Sequence, residues 1–160
     1  MQISQWVVQI DMNAESMCGF LHVALQPHEL SSSSSLPIAE IFYSKWQTTA
    51  HYTACQQCPS SSGFGGLFLL AFVGQRAAEA FYDVLACTKG PSLGMNFTLA
   101  YPYMILMHYD KLNLAAQYGV PTSLMCISIR LEDAGWLHKV FANALKVVED
   151  AHCAKTDAEA

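Results

Sequence analysis

The sequence predicts an α+β domain, a two-layer sandwich whose antiparallel or mixed sheet carries its helices packed on one face. Three observations predict it. The run from Gly66 to Val73 is apolar, of strand length and bounded by glycines, the pattern of a buried strand. Directly after it, Ala77, Ala78, Phe81, Tyr82 and Leu85 recur at steps of three and four, the stripe of a helix with one apolar face. Near the end, a second apolar run from Leu124 to Leu131 precedes a second stripe of Leu137, Val140, Phe141, Ala144, Leu145 and Val148. Strands and helices that interleave on a short chain pack as layers.

In chain order, Val8, Ile10, Met17, Phe20 and Leu21 recur loosely at helical spacing between Val7 and Leu25, with no proline before Pro27, and predict an amphipathic helix. Ser31 to Ser35 lies between Pro27 and Pro37 and is read as a loop, because serine offers too little apolar surface to pack. Ile38 to Tyr43 predicts a short strand, Thr48 to Gln57 a helix, and Pro59 to Gly63 a turn. A strand pair is expected around Cys87 to Thr88 and Phe97 to Ala100. Asp110 to Tyr118 predicts a short helix ended by Gly119 in a left-handed cap, with Pro121 just beyond. Leu124 to Leu131 is the last strand, and Asp133 is placed to cap the final helix. The organisation expected is one domain over residues 1–160, with a helix at 1–26, a Pro/Ser loop at 27–37, the α/β core at 38–151 and a tail at 152–160.

Bulk properties narrow the function classes. A chain of 160 residues is the size of one domain with a real core. Apolar residues make up 52% against 13% charged, which excludes a disordered tail and implies apolar surface that a partner covers or a pocket uses. A homodimer is the expected cover. The net charge is −5 and the eight Lys and Arg residues are scattered, so nucleic acid is not an expected partner. No uninterrupted apolar run nears the ~20 residues of a membrane helix, so no membrane association is expected. The first residues hold no basic stretch before an apolar one, and the protein is read as cytoplasmic with its six cysteines reduced.

Several motifs in order then carry a resemblance: Asn13-Ala14-Glu15 with Phe20-Leu21, Ile41 through Trp46, the glycine-rich Gly63 to Leu67, Phe81-Tyr82-Asp83, Lys89 through Gly94 with Asn96 to Leu99, and Leu131-Glu132-Asp133. Over about residues 7–151 the chain resembles the carboxy-terminal small domain of the pyridoxal-phosphate enzymes of cysteine and methionine metabolism, in the form found in fungal cystathionine γ-synthases. The resemblance implies the small-domain fold. It also implies that the cofactor of the whole enzymes is held by a lysine of a large domain preceding this one, together with a phosphate cradle and a carboxylate facing the pyridinium nitrogen. No lysine here, Lys45 and Lys89 included, matches that lysine, so no cofactor is expected for this stretch by itself.

The departures from the family pattern bear on substrate. Aligned on Leu131-Glu132-Asp133, the strand where the family places a substrate-binding arginine reads Leu124-Met125-Cys126-Ile127-Ser128-Ile129-Arg130, with Cys126 in the arginine's place. A guanidinium presents five donors in a fork that fits a carboxylate, whereas a thiol has one weak donor and no fixed charge. Arg130 falls four residues further on, about 13 Å away at strand rise, and is no direct replacement. Met95, Met104 and Met107 stand where smaller or polar residues are expected, and methionine suits irregular apolar cavities. The expected site therefore takes Tyr101, His108 and Cys126 as catalytic candidates, and Ser92, Met95, Asn96, Met104 and Met107 as binding candidates.

Each candidate has a plainer alternative. Cys126 also reads as a buried strand cysteine, Tyr101 and Tyr103 as packing aromatics, the methionines as core, and Ser92 as a turn residue. In His108-Tyr109-Asp110, Asp110 also reads as a helix cap. Cys55 and Cys58, with His51 nearby, have a zinc or dithiol spacing, but no second pair completes four ligands, and no metal site is expected. The function expected is a stand-alone, repurposed small domain. It would act without pyridoxal phosphate on an apolar small molecule, as a cyclase, isomerase or lyase in a cyclisation, isomerisation or addition step of fungal secondary metabolism. The alternatives are a non-catalytic pseudoenzyme that binds a full-length relative, and one domain of a longer or split enzyme.

Overall fold

The computed structural model describes residues 3–25, 37–56, 63–92 and 95–156. The five-serine run, most of the Pro59 to Gly63 turn, Cys58, Leu93, Gly94 and the end of the expected tail lie outside the described residues. Helix α1 (Ile3–Leu25) begins a turn earlier than its apolar pattern suggests, and it buries Ala14, Met17, Cys18 and Leu21 completely. Those positions are spaced three, one and three apart, so they form one stripe. Val8, expected on that stripe, is exposed.

Strand β1 (Ile38–Tyr43) falls where expected. It runs straight into α2 (Ser44–Gln47), a single turn that the sequence reading missed. Gln47 fixes this turn on the strand, its Nε2 donating to the Ile41 carbonyl at 2.6 Å and its Oε1 accepting from the Tyr43 N–H at 2.8 Å. Helix α3 (Thr49–Cys55), strand β2 (Leu67–Phe72) and helix α4 (Gln75–Val84) follow. Then come β3 (Thr88–Lys89), β4 (Leu99–Pro102) and α5 (Tyr103–Met107). The expected helix at 110–118 is divided into a 3-10 turn at Tyr109–Lys111 and α6 (Leu112–Gln117). Gly119 has φ of 74°, the left-handed end expected of it. Strand β5 (Leu124–Ser128) and helix α7 (Ala134–Thr156) complete the chain, and Asp133 caps α7 by accepting the Trp136 N–H at 2.8 Å.

The five strands lie in the order β1-β2-β5-β4-β3. β1, β2, β5 and β4 pair antiparallel, and the short β3 runs parallel to β4, so the sheet is mixed. Alternation along the strands separates two faces. Tyr43, Phe68, Leu70, Phe72, Met125 and Ile127 meet α1, α4 and α7 in the main core, where the Phe81 ring lies between those of Phe72 and Phe141, tilted to the first and edge-on to the second, at centroid distances of 5.0 and 5.9 Å. On the opposite face, α5 and α6 close a smaller cluster around Ala71, Met104 and Leu124, with Phe42, Leu69 and Tyr103 half-buried at its margin. The long helices share one face as expected, and the short ones cover part of the other.

The last strand is shorter than its apolar run, which continues to Leu131. The Ile129 N–H still reaches the Gly66 carbonyl at 2.7 Å, but beyond it side chains capture the backbone. The Arg130 N–H donates to Thr98 Oγ1 at 3.2 Å, while Asn13 Nδ2 donates to the Arg130 and Glu132 carbonyls at 2.8 Å each. A buried amide that meets two carbonyls ends the ladder and docks α1 there at once.

Candidate functional site

The glycine-rich segment is shaped by close contact with α1. Asp11 Oδ1 accepts the Phe64 and Gly65 N–H groups at 2.5 and 2.9 Å, a charge-assisted clamp on the loop before β2. A Cβ at Gly63 would collide with the Asp11 carboxylate, and one at Gly66 would meet Ile10 and come within 2.7 Å of the Ile129 carbonyl oxygen. Gly65 has φ of 81°, which a side chain would strain. Three glycines in four positions are thus required by the seating of α1, the loop and the end of β5.

On the other side of this seam, Glu132 accepts from both the N–H and the hydroxyl of Thr98, the latter at 2.8 Å. Asn13, Thr98 and Glu132 therefore lock the segment after β5 to α1 and to the entry of β4. None of the three was singled out as functional. All three stood within the family motifs, and their role here is to fix backbone.

Cys126 lies in the middle of β5, opposite Leu69 of β2 and Tyr101 of β4. It is 2% exposed and Tyr101 is 4% exposed. The two are register partners across β4 and β5, so the phenol and the thiol lie side by side on one face of the sheet. Burial raises the Cys126 thiol above its ordinary range, an effect that the neighbouring Tyr101 phenol opposes. Burial, and then the neighbouring Cys126 thiol, raises the Tyr101 phenol. At neutral pH the pair is a neutral phenol beside a neutral thiol, an arrangement that offers a carboxylate no charge.

From Tyr101 the polar groups continue outward. Its ring lies 6.3 Å from that of Tyr103, and the Tyr103 hydroxyl is 3.1 Å from His108 Nε2. Helix α5 makes this possible by carrying Tyr103 at its start and His108 just past its end, where the His108 N–H bonds the Met104 carbonyl at 3.0 Å. Tyr103 was weighed evenly as a packing aromatic and as a donor, and a five-residue helix gives no periodic signal that would pair it with His108. Asp110 lies in the 3-10 turn and caps neither that turn nor α6, each of which begins without a side-chain cap.

The expected binding residues divide. Met104 is 1% exposed and packs in the smaller cluster, below the face that holds Tyr101. Met107 and Met95 are exposed, as are Ser92 and Asn96 on the loop before β4. The structure joins Tyr101 with Cys126 and Tyr103 with His108. Two clefts of about 370 and 380 Å³, one between α4 and α5 and one between α1, β1 and α2, are lined by none of the eight candidates.

Two of the lysines are engaged within the fold. Lys45 is paired with Glu15, and Lys89 donates to the Tyr82 and Leu85 carbonyls while lying 4.3 Å from the centre of the Tyr82 ring. Among the described residues no three His, Cys, Asp or Glu side chains converge on a metal position. Cys55 is exposed, and Cys58 lies outside the described residues.

Compared with models of protein families, the chain matches none. Individual proteins match it well. It is 38% identical to the cystathionine gamma-synthase-like enzyme iboG1 of Amanita muscaria, over 93% of this chain and 26% of that one. It is 41% identical to iboG2 of the same fungus, over 89% of this chain and 24% of that one. It is 40% identical to the cystathionine gamma-synthase of Neurospora crassa, over 89% of this chain and 21% of that one. The chain thus spans about a quarter of the length of the curated relatives it matches. In fold it is similar to the cystathionine gamma synthase of Xanthomonas oryzae pv. oryzae, solved in complex with cystathionine, with a TM-score of 0.71 and 21% identity over 91% of this chain and 35% of that one. Nine tenths of the chain aligned at about two fifths identity, on a fold shared with a solved synthase, place it in the cystathionine gamma-synthase family as a counterpart of the carboxy-terminal domain.

Proposed function

We propose that this domain presents a neutral, largely apolar surface to a small-molecule substrate, and that its own residues act without pyridoxal phosphate and without gripping a carboxylate. The observation that carries the reading is the buried Tyr101–Cys126 pair in the strand position where the family resemblance implies an arginine. The half-buried Phe42, Leu69 and Tyr103 and the exposed Met107 border the same sheet face, and they favour a ligand held by shape. The half-buried Tyr103–His108 couple supplies the polar contacts, above the buried Tyr101. A ligand laid across them is oriented for an intramolecular step, a cyclisation or isomerisation, with the phenol and imidazole positioned for proton transfer.

The test is a nuclear magnetic resonance titration with p-cresol as neutral probe and L-norleucine as carboxylate probe, followed at the amides of Tyr101, Tyr103 and Cys126. The neutral probe is expected to shift these signals and the amino acid to leave them. Cys126→Arg reverses the order, and Cys126→Ser, a smaller change, keeps the wild-type order if the arginine variant does not fold. Norleucine binding at Cys126 in the unaltered protein refutes the reading.

A second reading rests on a different observation. Ile3, Trp6 and Val7 lie on one side of the first turns of α1 and are exposed. Apolar residues grouped in this way fit a protein partner, either a second copy in a homodimer or the large domain of a full-length relative. Co-purification with a full-length cystathionine gamma-synthase, or a dimer mass that Trp6→Glu abolishes, supports it; a monomer that ignores the relative counts against it.

A further inference from the structure

We infer a second ligand site, for a small primary amine with an apolar body, in the cleft between α4, α5 and the start of β5. It goes beyond the reading centred on Cys126 and uses none of its residues. The cleft holds about 370 Å³, the lower end of the range for small-ligand pockets and room for one or two rings. Its floor is apolar, made by Ala78 of α4 and by Leu124 and Met125 where β5 begins. Its walls include two phenols, Tyr82 and Tyr109.

The charge of the lining selects the ligand. Glu79 is the one ionised side chain among the lining residues, and no Lys, Arg or His joins it there. Gln75 Nε2 donates to Glu79 Oε1 at 2.9 Å, and Thr122 Oγ1 donates to Gln75 Oε1 at 3.4 Å, a chain that steadies the carboxylate at the rim. A lone carboxylate above an apolar floor attracts a cation and repels an anion. The aromatic walls act in the same sense, since a ring face attracts an ammonium group. One face of the Tyr82 ring is taken by Lys89, whose Nζ lies 4.3 Å from its centre, so Tyr109 is the ring free to receive the ammonium. An arylethylamine places its ammonium at Glu79 and its ring over Ala78 and Leu124.

Calorimetric or resonance titration of the full chain with tryptamine tests the site, with indole-3-propionate as an anion of similar size. Saturable binding of tryptamine, no binding of the propionate, and affinity about fivefold weaker in Glu79→Gln are expected, the last being the size of one partly exposed ion pair. Tyr109→Phe keeps the wall and the affinity, while Tyr109→Ala weakens it. Glu79 and Tyr109 are both exposed, so these variants leave the fold intact. Equal affinity for amine and acid, unsaturable binding, or indifference to Glu79→Gln overturns the inference. Cys126→Ser is expected to leave tryptamine affinity unchanged, so the two sites stand or fall separately.

Discussion

The two faces of the sheet are built on different terms. The face under α1, α4 and α7 gathers 22 buried residues into one apolar cluster, whereas the apolar cluster under α5 and α6 has three and leaves Phe42, Leu69 and Tyr103 half-covered. The first has the apolar payload that holds a domain together. The second carries the ionisable pair at Cys126 and Tyr101, the Tyr103–His108 couple and the exposed methionines. Substitutions should therefore separate by face, with those on the first costing stability and those on the second costing ligand recognition while the fold stands. The seam where α1, the glycine loop and the end of β5 meet belongs with the first face.

The largest effect is expected at Phe81, which is fully buried between Phe72 and Phe141. Phe81→Ala should lower unfolding free energy by about 3–5 kcal/mol through lost transfer energy and a cavity, measured by urea denaturation. A loss below 1 kcal/mol would mean that α4 is not anchored as described. Next is Gly66→Ala. Its Cβ would meet Ile10 and the Ile129 carbonyl oxygen, and a backbone oxygen cannot swing aside. A cost of about 1–3 kcal/mol is expected, as in overpacked cores. Ile10→Ala, which removes one of the two clashing groups, should recover part of it, and no recovery would place the strain at Ile129 alone.

How far the sequence could be read follows the same division. β2, α4 and α7 were legible because each carries its own period, an apolar run between glycines or a stripe at three and four. Asp133 and Gly119 were legible as local end signals. β5 was read three residues too long, because what ends it is Asn13, 117 residues away from Arg130 along the chain, together with Thr98. Side-chain capture over such a distance leaves no local mark. α2 and α5 escaped for another reason, since four or five residues hold barely one turn and show no stripe. The parallel pairing of β3 with β4 had no signal either, as β3 is two residues long. At the site, the position of Cys126 was legible through the family pattern, and its register with Tyr101 was not, because two strands joined through intervening helices rather than a tight hairpin carry no local signal of register.

The second face responds to pH in a way the first cannot hide. Burial raises the Cys126 thiol above its ordinary value near 9. A thiol whose folded pKa exceeds its unfolded one contributes stability that is intact below about pH 9 and is lost as the pH rises from the unfolded value through the folded one. Cys18, buried on the main core face, shifts in the same direction, and Cys87 is pushed up to about 11, so the protein should weaken steadily above pH 9. Each fully titrating thiol adds at most about 1.4 kcal/mol per pH unit to that slope. Cys126→Ser should remove one thiol's share in denaturation measured between pH 8 and 11. An unchanged slope would show that Cys126 reaches solvent in the native state.

The smallest effect on stability should accompany a clear local change at Tyr103. Its hydroxyl lies 3.1 Å from His108 Nε2 at a half-buried position, and a hydrogen bond of this kind is worth about 0.5–1.5 kcal/mol net at most. Tyr103→Phe keeps the ring that packs near Tyr101 and Met104, so the melting temperature should fall by only a few degrees. The His108 ring nitrogens, however, lose the partner that holds one orientation of the imidazole. Their resonances should move and broaden, while the amides of β2 and β5 stay in place. Broadening that spread into β5 would join this couple to the Cys126 pair as one unit, and the second face would then be a single coupled surface with two ends.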